Sequence, residues 1–124
     1  MRGIVLALAS LTLLLTTAAC GSSGRPEPPR WLENKARGLV EQFNDPSADV
    51  SYIVRPVPVV LLEGSLRCPD CSGPISERPT GSAAAIRFDP KTHVFADWSL
   101  VDGDRCEALR ALGRPYAGWC SRVQ

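Results

Sequence analysis

Four of the five cysteines, Cys68, Cys71, Cys106 and Cys120, are the densest reactive chemistry in this 124-residue chain. They are arranged as a CxxC pair, a gap of 34 residues, and two cysteines with 13 residues between them. Four thiolates could hold zinc, with the first pair as a knuckle, but structural zinc sites usually supply a second close pair. A redox dithiol is another reading, with Cys68 as nucleophile and Cys71 as resolving thiol. It needs a helix starting at the first cysteine to stabilise the thiolate. Ser72-Gly73-Pro74 follows instead, and no βαβ pattern surrounds the pair. Two disulfides are the reading that an oxidising compartment favours, and no metal or cofactor is then expected. Three connectivities are open. Local closure points to Cys68 with Cys71 and Cys106 with Cys120, because a turn at Gly113-Arg114-Pro115 could bring the chain end back to the last helix.

Other catalytic patterns are sparse. His93 is the single histidine, and Asp97, on the same strand face, would lie ~13 Å away at ~3.3 Å per residue, too far for a direct acid/base pair. His93 is therefore expected as an exposed residue at a hairpin end. Trp98 and Trp119 could stack a ligand such as a sugar, though filling a small core is the simpler use. No Gly-rich phosphate loop, nucleophile elbow or helical metal motif occurs. With 14 basic and 13 acidic residues and no basic run, nucleic acid is not expected as a partner.

Compartment is written at the start. Arg2 leads into an apolar run, Ile4 to Leu15, then Thr16-Thr17-Ala18-Ala19 and Cys20. The run is shorter than the ~20 residues that span a bilayer and fits the apolar region of a signal peptide. With Ala18, Ala19 and Cys20 in place, the segment resembles the bacterial lipoprotein signal, whose lipobox reads Leu, small, small, Cys; Thr17 stands where Leu is usual. That resemblance implies cleavage after residue 19, diacylation (palmitate-type chains) of Cys20, and anchoring at the extracytoplasmic face of the cell membrane or outer membrane. Cysteine parity agrees: lipidation of Cys20 leaves an even set of four. Two or three acyl chains make anchoring stable where one does not.

The elements that must position the cysteines follow in order. Residues 1–19 are read as the signal peptide, 20–30 as the lipidated cysteine with a flexible tether, and 31–124 as one small domain. Trp31, Leu32, Ala36, Leu39, Val40 and Phe43 recur at helical spacing, so a helix is expected from about Pro29 to Asn44. Strands are expected over Ser51–Arg55 and Val57–Glu63, broken by Pro56 and Pro58, with a turn at Gly64-Ser65. Cys68 begins a loop without regular structure that runs to about Gly81, the first candidate for a working surface. Residues 82–89 and 93–101 alternate as a β-hairpin around Asp89-Pro90-Lys91-Thr92, placing Trp98 and Phe95 on opposite faces. Asp102-Gly103-Asp104 caps a helix over 105–112, and the last four residues are expected to fray. The fold class is α+β: an N-terminal helix, three or four antiparallel strands, a C-terminal helix, and disulfide staples. The function expected is a lipid-anchored, non-catalytic module presenting its loop and sheet face to an envelope protein or small ligand, with a thiol-disulfide oxidoreductase as the alternative.

Overall fold

The computed structural model describes residues 27–124. The segment read as signal peptide, Cys20 and the tether up to residue 26 lie outside the described residues.

The first helix, α1, spans Arg30–Gln42. Pro29 precedes it in an extended conformation, and its carbonyl accepts from the amides of Leu32 and Glu33 at 3.0 and 3.2 Å. Leu32, Ala36, Leu39 and Phe43, spaced four, three and four apart, are buried, while Trp31 and Val40 flank them half-buried. Asn44 stops the helix in the left-handed region (φ 64°), which its short side chain tolerates, and the Asp45 amide closes back onto the Val40 carbonyl at 2.9 Å.

Four antiparallel strands follow in meander order, β1 (Asp49–Ile53), β2 (Val59–Arg67), β3 (Thr80–Phe88) and β4 (Phe95–Val101). Pro56 and Pro58 fall in the β1–β2 connection, where the Arg55–Pro56 bond is cis and no ladder donor is lost. The turn expected at Gly64-Ser65 does not form: β2 continues through both residues as a bulge between Glu63 and Leu66. The Asp45 carboxylate holds that bulge, accepting the Ser65 amide at 2.9 Å on one oxygen and the Ser47 amide and hydroxyl on the other. A side chain at Gly64 would run into that carboxylate and Ala48.

Both faces of the sheet are covered. On one, Val60, Leu62, Ala84, Ile86 and Phe88 pack under α1. On the other, Ile53, Val59, Leu61, Ala83 and Ala85 pack against Ala108 and Leu109 of α2 (Arg105–Leu112) and against Val123. The cap of α2 is the expected one: the Asp104 side chain accepts the Glu107 amide at 2.9 Å. Short 3₁₀ turns at Arg114–Tyr116 and Trp119–Arg122 carry the chain back across this face. Its end is docked rather than frayed. Val123 is buried, and Gln124 exchanges two backbone hydrogen bonds with Tyr52 on β1, because that edge strand offers groups a terminal residue can pair. The domain is thus α+β, a four-stranded antiparallel sheet between an N-terminal and a C-terminal helix.

Candidate functional site

All four domain cysteines are used in two pairs, Cys68–Cys71 and Cys106–Cys120, with Cα–Cα distances of 5.6 and 5.2 Å. The second pair ties the first turn of α2 to the Trp119–Arg122 turn. The first closes the exit of β2. Cys68 is only 4% exposed, and its amide donates to the Pro79 carbonyl at 2.9 Å. No helix begins at either residue of this pair; the next helical turn is the 3₁₀ segment Ile75–Glu77. The loop is more ordered than its sequence suggests. Arg67 donates to the Ile75 and Ser76 carbonyls, and Arg78 to those of Gly73 and Pro69, so two guanidiniums organise a segment that has little apolar content of its own.

Folding this loop back along α1 leaves an apolar groove of about 220 Å3 between the end of α1, the Pro69-Asp70 corner and the start of β4. Gln42 and Phe43 form one wall, Pro69 and Asp70 the other, and Phe95 and Trp98 the floor. Trp98 sits edge-on to Phe43 with ring centroids 5.6 Å apart. Phe95 is 47% exposed. Simple alternation would put Phe95 and Trp98 on opposite faces, but the register slips between Arg87 and Phe88, so that Asp97 pairs with Arg87 and Phe95 with Phe88. The extra residue, Ala96, brings both aromatic rings to the α1 side. The sequence carried no signal for this bulge.

At the opposite end of α1, His93 is not simply exposed as expected. It adopts φ 62° and stacks on Trp31, with ring centroids 3.8 Å apart and planes 5° from parallel. The turn before it is held by Asp89, whose carboxylate accepts the Lys91 and Thr92 amides at 2.8 Å. Those amides keep the Asp89 carboxyl below its ordinary value, as the Ser65 amide and the Ser47 hydroxyl do for Asp45. Asp97 forms an ion pair with Arg87 at 2.9 Å. Trp119 packs edge-on to Tyr116 at 4.7 Å on the α2 face and so serves the core.

A larger open depression of about 360 Å3 lies by the β2 bulge, lined by Arg67, Thr80, Ser82 and Asp102 among others. Arg67 is engaged with the loop carbonyls, and the Ser82 hydroxyl bonds both the carbonyl and the amide of Gly103. The apolar groove therefore holds the better claim to a ligand. Among the described residues no cluster of three or more His, Cys, Asp or Glu is placed to hold a metal ion, and no helix is long and apolar enough to cross a membrane. No protein family, curated protein or solved structure matches the chain.

Proposed function

We propose that the chain is an exported protein, anchored through lipid on Cys20 to the extracytoplasmic face of a membrane, whose domain binds rather than catalyses. One observation carries this reading: the four domain cysteines are consumed in two local pairs, which leaves Cys20, at the end of the lipobox-like Thr17-Ala18-Ala19, as the odd thiol. An oxidising compartment explains the pairs, and acylation explains the fifth cysteine. The test is the mass of the amino-terminal peptide from the protein's own cells, with fractionation of wild type against Cys20→Ser. Wild type should begin at a diacylglyceryl cysteine and sediment with membranes, and the variant should lose both properties. An acyl-free wild-type chain refutes the anchor.

The binding surface we assign is the groove floored by Phe95 and Trp98, suited to an apolar or aromatic group of an envelope protein or small ligand. A photo-crosslinker at exposed Gln42 should trap that occupant, and Trp98→Ala should abolish the cross-link while leaving membrane attachment intact. As an oxidoreductase the domain would need a reactive, low-pKa Cys68. That sulfur is buried and lacks the helix start that would stabilise its thiolate.

A further inference from the structure

Among the described residues, four large apolar side chains are exposed: Val50, Ile75, Val94 and Phe95. The last two are consecutive at the tip of the β3–β4 hairpin, and Val94 is 60% exposed. The same tip is where the chain enters the domain. Trp31, in the first turn of α1, stacks on His93 and meets Phe88 edge-on at 6.0 Å, so the N-terminal approach and the hairpin apex form one corner of the molecule. Seven residue steps separate Cys20 from Glu27, the first described residue, a reach of at most ~25 Å. A lipid on Cys20 would therefore tether the domain to the bilayer from this corner.

We infer that the hairpin tip, led by Val94 with Phe95 at the edge of the groove, is a second membrane contact that lays the domain on the lipid surface carrying its anchor, so that the groove opens beside the lipid and not into it. The inference rests on the lipidation of Cys20. Val94 stands out beside a turn that Asp89 fixes through its bonds to the Lys91 and Thr92 amides, and Phe95 follows as the first residue of β4, so little ordering entropy opposes insertion. Lys91 is exposed in the turn and the exposed Lys35 holds its ammonium 6.0 Å from the Phe88 ring, while the Asp89 carboxylate is occupied by the turn amides. Two such lysines suit an anionic headgroup layer. Two apolar residues alone bind a membrane weakly. A short tether changes the arithmetic, because it holds the tip at an effective concentration in the millimolar range and turns a weak contact into an occupied one.

The test uses the full chain as its own cells process it, reconstituted in vesicles of phosphatidylethanolamine and phosphatidylglycerol doped with a phosphatidylcholine that carries a photoactivatable diazirine in its acyl chain. Mass analysis of the Cys20 peptide comes first, and an acyl-free cysteine overturns anchor and inference together. In acylated protein, the peptide containing Val94 and Phe95 should take up label well above the peptides of α2 and the C-terminus. Val94→Asp should reduce that label about tenfold, the scale set by losing one buried aliphatic side chain, with membrane attachment unchanged. Phe95→Ser should do the same, and preserved near-UV dichroism identifies the variants that keep the fold. Label confined to the Cys20 peptide or spread evenly overturns the docking alone, as does a tip that cross-links to a second copy of the chain instead of to lipid.

Discussion

Four aspartates show how differently one side chain acts depending on what it faces. Asp104 caps α2 through an amide three residues on, a local pattern that sequence displays directly. Asp45 instead captures Ser65, twenty residues away, and turns an expected turn into a strand bulge. No local pattern announces such a partner. Asp104→Ala should therefore cost about 1 kcal/mol in urea unfolding, the usual worth of a cap. Asp97→Asn should cost less than ~1 kcal/mol, because its ion pair with Arg87 is solvent-exposed and screened. The carboxyls of Asp45 and Asp89 sit below their ordinary value of 3.8 in the folded chain. A depressed pKa gives stability that is present above the unfolded value and lost as pH falls through the folded one. Unfolding free energy should then be level in neutral solution and decline below about pH 4, and an Asp45→Asn, Asp89→Asn double variant should flatten that decline. An acid limb of unchanged slope in the double variant would show that other groups control it.

At the scale of elements, the helices and the hairpin were readable because each repeats a period along its own length, apolar every three or four residues in α1 and every second residue in β3. What escaped were features decided between elements. The bulge at Ala96 reverses the side of Phe95, and with it creates the groove floor, through a register slip against β3 that no alternation pattern contains. The C-terminus looked like a fraying end. It is held because Cys106–Cys120 draws the last 3₁₀ turn onto α2 and lets Gln124 reach Tyr52 on β1. That dependence can be measured. Cys106→Ala with Cys120→Ala opens a loop of 14-residue separation and should cost about 3 kcal/mol. The same double variant should speed hydrogen exchange at the Tyr52 amide, which donates to Gln124, more than at amides in the centre of β3. Equal acceleration at both places would mean that the disulfide acts on the whole domain and not on its end.

For the whole molecule, the decisive property is that the sheet is covered on both faces, whereas alternating strands usually signal one wet side. The clue lay in β3, where Ala83, Ala84 and Ala85 are all fully buried: small residues on both faces of a central strand let a helix approach from each side. The order of helical and alternating segments pointed to the α+β class, but the alternation read through residues 82–89 announced one buried face and not a second layer. The two apolar clusters meet only through the sheet, α1 with its face and α2 with Val123 on the other. Neither face of the strands can be left bare without exposing a row of large aliphatic side chains to water, so the two clusters should stand or fall together. Leu32→Ala in α1 and Leu109→Ala in α2, both fully buried, should each cost 2–5 kcal/mol on the general scale for such truncations, roughly a third or more of the stability of a domain this size. Each should also shift far-UV dichroism and tryptophan fluorescence to the same new midpoint, because Trp31 and Trp98 report on one face and Trp119 on the other. A Leu109→Ala variant whose α2 face melts first, with the Trp31 and Trp98 environment intact, would divide the domain into two units. The groove would then belong to the α1 layer alone, able to hold its shape without the disulfide-tied half behind the sheet.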